Sequence, residues 1–179
     1  VHETPAAQTT PARRLVVMRH SKSESWGESD QGRALEPRGR DDATATGRWL
    51  AERGFVPDHA LVSTAVRTRE TWEAVAEAAG WDVEPDFDTG LYAAGPEAAL
   101  DLIREVPPTA TDVIVIGHNP TVAYLAQLLD DGAGDADAGA AMAGGYPTSA
   151  VTVLEYDGAW VELDMASASV VAFHVARSE

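Results

Sequence analysis

Short apolar runs alternate with longer amphipathic stretches along most of the chain. Leu15–Met18 (LVVM) has no polar break and is rich in β-branched side chains, which predicts a strand buried on both faces. It hands over at once to Arg19-His20-Ser21-Lys22, and a loop of Gly, Ser and Asp then runs to Pro37. Gly39–Arg53 carries Ala43, Gly47, Leu50 and Ala51 at helical spacing and meets Gly54, so a helix is expected there. Ala60–Val62 reads as a second strand, running into Ser63-Thr64-Ala65. Val66–Ala79 follows as a helix closed by Gly80, with Thr71, Val75 and Ala78 along one side. The alternation in Trp81–Phe87 predicts another strand, and Pro96–Glu105 a helix with proline in its first turn. Asp112–Ile116 (DVIVI) is a further buried strand, followed by Gly117-His118-Asn119-Pro120 and a helix through Leu129.

The final third is less regular. Asp130–Tyr146 is largely Gly, Ala and Asp and is expected to be a loop. Ala150–Tyr156 and Trp160–Asp164 flank Asp157-Gly158, the pattern of a β-hairpin, and Val170–Val175 closes the chain as a last strand. Together these elements predict a single-domain three-layer α/β/α sandwich over residues 14–179, its central sheet mostly parallel with an antiparallel edge. The polar, proline-containing residues 1–13 are expected to form a disordered tail. In such sheets ligands collect beyond the carboxyl ends of the strands. Three strands here end within a few residues of Arg19 and His20, of Arg67, and of His118. Residues distant in sequence can therefore meet on one edge.

Charge sharpens that picture. A formal net charge of −16 argues against a nucleic-acid-binding face, and it makes a few arginines placed beside histidines a local cationic pocket in a negative shell. No apolar run approaches the roughly 20 residues that span a bilayer. The chain does not open on a charged-then-apolar leader, which makes cytoplasm the expected compartment. The absence of cysteine excludes disulfides, thiolate metal sites and a Cys nucleophile. Asp130, Asp131, Asp135 and Asp137 lack the spacing of a calcium loop, and His20 and His118 lack a third-ligand pattern, so no metal is expected.

A neutral imidazole can attack phosphorus and carry the phosphoryl group as phosphohistidine, provided that one ring nitrogen is free and the other is oriented by a hydrogen bond. The transferring group spreads negative charge over three oxygens, so catalysis is mostly positioning plus fixed positive charge. Arginine suits that task because its planar fork binds phosphate oxygens bidentately and stays protonated. His20 surrounded by Arg19, Arg67 and His118 is then a complete phosphate cradle that needs no cofactor.

The motifs in their order resemble the histidine phosphatase superfamily, of phosphoglycerate mutase-like fold, and within it the small SixA-type phosphohistidine phosphatases. The matching blocks are Leu15–Trp26, Gly32–Leu50, Leu61–Glu73, Ile116–Leu125 and Tyr146–Asp157. The resemblance implies that His20 is the nucleophile, that Arg19 and Arg67 hold phosphate oxygens, and that His118 donates to them. Ser63 falls on the family's Ser-x-x-x-Arg segment, and Lys22 and Asn119 adjoin matched positions as substrate-binding candidates. The partner it implies is a phosphorylated protein carrying phosphohistidine.

One departure bears on substrate. Larger members of the superfamily place a carboxylate general acid in the segment that here reads FDTGLYAAG (Phe87–Gly95), which holds no Glu; Asp88 and Glu97 are the nearby carboxylates. An alkoxide leaving group needs an acid, whereas an imidazole leaving from a phosphoramidate takes its proton readily from water. The missing acid therefore points to P–N cleavage. Only one helix fits between Tyr92 and Asp112, too little for a cap, so the pocket is expected to admit a side chain on another protein, with the 130–146 loop as a partial flap. Trp26 is a candidate for the pocket entrance. Two alternatives remain: a phosphatase for small phosphomonoesters such as sugar or nucleotide phosphates, and a catalytically idle phosphate-recognising module.

Overall fold

The apolar strand cores line up as one sheet. In the computed structural model, which describes residues 12–177, it comprises β1 (Arg13–Arg19), β2 (His59–Ser63), β3 (Asp86–Asp88), β4 (Asp112–Gly117), β5 (Ala150–Tyr156) and β6 (Ser169–Val175). Their order is β3-β2-β4-β1-β5-β6. The first four strands are mutually parallel, and β5 runs antiparallel between β1 and β6.

Side chains alternate across the central strands, and helices cover both faces, which is why these strands read as unbroken apolar runs. Val16, Met18, Ile114 and Ile116 point toward α1 (Pro37–Glu52) and α2 (Val66–Ala79). Leu15, Val17, Val113 and Val115 point toward α3 (Gly90–Ala93), α4 (Pro96–Arg104), α5 (Thr121–Leu129) and α6 (Ala136–Gly144). The result is the three-layer sandwich expected. Two glycines of α1 make close contacts possible: a Cβ on Gly47 would collide with the Val75 carbonyl of α2, and one on Gly39 with the Lys22 carbonyl. Gly39 thus seats the start of α1 directly against the segment leaving His20.

Four expectations need correction. Trp81–Phe87 is not a strand throughout; pairing begins at Asp86, after Pro85, which has no N–H to give to a ladder. Asp130–Tyr146 is not all loop, because Asp135 accepts a hydrogen bond from the Ala138 amide at 2.8 Å and caps an alanine-rich helix, α6, that buries Met142. Trp160–Asp164 is not a hairpin partner of β5. Residues 160–162 form a 3₁₀ turn that buries Trp160 and lets its indole N–H donate to the Ala110 carbonyl at 2.7 Å, while β5 pairs with β6. The tail expected over residues 1–13 lies outside the described residues for its first eleven positions, and Arg13 already belongs to β1. Among the described residues, no helix is long and apolar enough to cross a membrane.

Candidate active site

His20 follows the last residue of β1 and is held from several sides. Its amide donates to the Gly117 carbonyl at 3.0 Å, and its carbonyl accepts from the Ser149 amide at 3.1 Å. The next amide, Ser21 N, donates to Thr71 Oγ1 at 3.0 Å, and the Ser21 and Ser149 hydroxyls meet at 2.6 Å. The ring is fixed as well: Nδ1 lies 2.7 Å from the Ser21 carbonyl oxygen. A carbonyl only accepts, so Nδ1 carries the proton and Nε2 presents its lone pair. Burial, opposed only by that carbonyl bond and reinforced by the nearby His118, Arg67 and Arg19, pushes the imidazole pKa down to about 3. At neutral pH the ring is uncharged and nucleophilic.

The same carboxyl edge collects the other groups. Arg19 ends β1, Ser63 ends β2, Gly117 ends β4 immediately before His118, and Arg67 stands on the first turn of α2. The rings of His20 and His118 lie 5.4 Å apart. His118 Nε2 meets Ser63 Oγ at 2.7 Å, and its Nδ1 is buried without a partner. Burial first, then Arg67 and Arg19, lowers the His118 pKa to about 4 against the opposing pull of Asp30. Six buried polar side-chain atoms among the described residues have no protein partner, and four of them are here: Arg19 Nε, Arg67 Nε, His118 Nδ1 and Asn119 Oδ1. Three of these four are on cations or an imidazole, the donors that an oxyanion would satisfy.

Structure also separates the remaining candidates. Ser63 is buried and engages His118, so it orients that ring. Asn119 Nδ2 donates to the Tyr146 carbonyl at 2.7 Å, and Arg19 Nη1 donates to the same oxygen at 3.1 Å, so Tyr146 ties the two together. Lys22 is exposed and lines a recess with Arg38, Asp42, Thr148 and Arg177 beside the pocket. Asp88 Oδ1 accepts from the Gly90 amide at 2.7 Å, and Glu97 is exposed in the first turn of α4. Trp26 is 79% exposed in the loop after His20.

No local pattern in the sequence marks the carboxylate that touches the site. Asp30 accepts from Arg67 through its backbone carbonyl (Nη1, 2.8 Å) and its side chain (Nη2, 3.2 Å), and it also accepts from the Tyr92 hydroxyl. Tyr92 stands edge-on to His118. The Tyr92 hydrogen bond first, with Arg33 and Arg67 adding to it and desolvation opposing, holds the Asp30 carboxyl at about 2. It is an anion at neutral pH and has no proton to give. In the sequence Asp30 lies in a polar loop and Tyr92 in a one-turn helix, with no periodicity to link them; only the fold brings both to Arg67.

Comparison with known proteins agrees with this geometry. The family model of the histidine phosphatase superfamily (branch 1) matches residues 15–92. An uncharacterized protein of Mycobacterium tuberculosis is 35% identical over 162 residues, which covers 89% of this chain and 100% of the relative. A solved structure assigned as the phosphohistidine phosphatase SixA of Nakamurella multipartitia superposes with a TM-score of 0.82 at 31% identity, covering 93% of this chain and 98% of that one. A protein histidine phosphatase SixA complexed with tungstate has a TM-score of 0.69 at 21% identity, covering 90% and 96%; at that identity the likeness is one of fold.

Proposed function

The chain belongs to branch 1 of the histidine phosphatase superfamily, a phosphatase family with SixA among its structural neighbours, and from that premise we propose that it hydrolyses protein phosphohistidine through a phospho-His20 intermediate. The observation that carries the reading is the state of His20: neutral, with Nδ1 tethered and Nε2 free, beside cations with uncommitted N–H groups.

In the first step Nε2 of His20 bonds to phosphorus as the P–N bond to the substrate imidazole breaks, and the departing ring takes its proton from water. Arg19 and Arg67 balance the charge on the phosphoryl oxygens. His118 contributes a donor when the Ser63 hydroxyl donates a hydrogen bond to Nε2, the tautomer that carries the ring proton on the otherwise unpartnered Nδ1. Water then attacks phospho-His20; its released proton neutralises the hydroxide left by the first step, inorganic phosphate departs and the neutral imidazole is restored. Tungstate held by a protein of the same fold fits an oxyanion pocket of this kind.

The acid bookkeeping favours a nitrogen leaving group. Asp88 caps a turn, Glu97 faces solvent, and Asp30 is ionised. Asp30, the carboxylate that reaches the site, has no proton to give a departing alkoxide.

The test is a paired rate assay of a phosphohistidine peptide and an alkyl phosphate, with wild type and His20→Ala side by side. His20-dependent turnover selective for the phosphohistidine is expected, with loss of roughly 10⁴-fold or more in the variant. Efficient alkyl phosphate hydrolysis would overturn the substrate assignment in favour of a small phosphomonoester. Phosphate binding without a trappable phosphoenzyme would reduce the chain to a recognition module.

A further inference from the structure

Thirteen basic residues serve a chain of net charge −16, and nearly all are committed within the fold. Arg14 pairs with Asp112, Arg33 and Arg67 with Asp30, Arg40 with Glu70, and Arg104 with Asp101 and Asp164. Arg13 and Arg19 donate to backbone carbonyls, and Arg53 and Arg69 lie over Trp49 and Phe87. Among the basic residues described, only Lys22, Arg38 and Arg48 have no ion-pair, hydrogen-bond or aromatic-ring partner. All three are exposed, and all three line one surface feature.

That feature begins beside the active site. Lys22, Arg38, Asp42, Thr148 and Arg177 line a recess of about 240 Å³, which shares Arg177 with a wider one of about 560 Å³ lined by Arg48, Trp49, Glu52 and His174. Two short segments connect it to the nucleophile: Ser21-Lys22 follows His20 directly, and Thr148 precedes Ser149, whose amide holds the His20 carbonyl. The groove then runs along α1 and the edge strand β6. Arg177 is anchored across its middle, donating to the Thr148 carbonyl at 2.9 Å and meeting the buried Asp42 carboxylate at 3.5 Å. The Asp42 charge is thus covered by Arg177, and the exposed carboxylate of the lining is Glu52 at the far end.

We propose that this groove binds an acidic polypeptide segment flanking the phosphorylated residue of a protein substrate, an inference that rests on the phosphoprotein reading above. Arg38 and Arg48 stand roughly 15 Å apart at the standard helical rise. An extended chain covers that span in about five residues. At physiological ionic strength charges beyond roughly 8 Å are largely screened, so a bound segment feels the groove more than the acidic remainder of the surface. The two fields make opposite predictions: the global charge favours basic partners, and the groove favours acidic ones.

The experiment uses phosphohistidine peptides with acidic, neutral and basic flanks, alongside free phosphohistidine, with wild type and the Arg38→Glu/Arg48→Glu double variant. Acidic flanks are expected to raise kcat/KM about tenfold over neutral ones at low salt, through KM, with the advantage shrinking as salt rises. The double variant should lose that preference and keep wild-type turnover of free phosphohistidine and wild-type melting behaviour. Absence of a flank preference, or preference for basic flanks, overturns the groove and leaves the phosphatase reading standing. Failure on every phosphohistidine substrate sinks the phosphatase reading instead. The groove is then judged by anisotropy with a labelled, unphosphorylated glutamate-rich decapeptide: binding by wild type and not by the variant supports it, and no binding by either overturns it.

Discussion

The two ends of the same three strands, β1, β2 and β4, handle polar groups in opposite ways. At the amino end the Asp58 carboxylate accepts from the Thr111 amide, the Thr111 hydroxyl and the Asp112 amide at 2.7–3.0 Å. Arg14 reaches both oxygens of Asp112 at 3.0 Å each and the Gly54 carbonyl at 3.1 Å. That end is electrically closed, apart from Arg13 Nε. At the carboxyl end Arg19, Arg67, His118 and Asn119 each keep a buried polar atom without a protein partner. One edge spends its hydrogen bonds on the fold, and the other holds them ready for a ligand. Buried unmet donors are unfavourable in isolation, so the gathering of those on Arg19 and Arg67 beside one neutral imidazole marks the edge where an anion belongs.

The contrast can be broken by substitution at either end. Arg67→Ala should have the largest effect, lowering kcat by roughly 10²–10³ with little change in melting temperature, because it removes charge from the transition state. A variant with near-normal rates would remove Arg67 from the cradle. Asp58→Ala should do the reverse, destabilising the fold by about 1–2 kcal/mol in urea unfolding while kcat/KM stays within about twofold. Comparable losses of activity and stability at both ends would erase the distinction.

The histidines add a pH signature. His20 and His118 are held near 3 and 4, below the ordinary imidazole value of 6.5, so in this window the unfolded chain binds more protons than the native one. Their contribution to stability is therefore complete above about pH 6.5 and is lost progressively as pH falls toward 4 and 3. Thermal melts from pH 7 to pH 4 should fall less steeply for His20→Asn than for wild type; parallel curves would mean that His20 titrates alike in both states. The smallest effect is expected for Ser63→Ala. Losing the bond that selects the His118 tautomer should lower the rate roughly fivefold, about 1 kcal/mol. An unchanged rate would show that the ring is held by packing alone.

Legibility follows the range over which each feature is encoded. The unbroken apolar runs of β1 and β4 and the matched bounds of α2 depend on local patterning, and they were readable because strand length and helical period are properties of a few consecutive residues. The placement of Arg19, His20, Arg67 and His118 on one edge also followed, since parallel strands point their carboxyl ends the same way. The α6 segment and the β5–β6 pairing run against the local signals, because composition and a turn dipeptide are weak against tertiary packing: the Asp135 cap and the burial of Met142 and Trp160 decide them.

What the sequence alone determined was the layered fold and the set of histidines and arginines that it gathers on one edge. What only the tertiary structure decided was their state: which nitrogen of His20 is free, which side chain orients His118, and that Asp30 and Tyr92 reach Arg67 from separate segments. It also decided that the three uncommitted cations share one groove. The physical reason is that protonation, tautomer and charge pairing depend on distances of a few ångströms between groups far apart in the chain, and no local pattern records those distances.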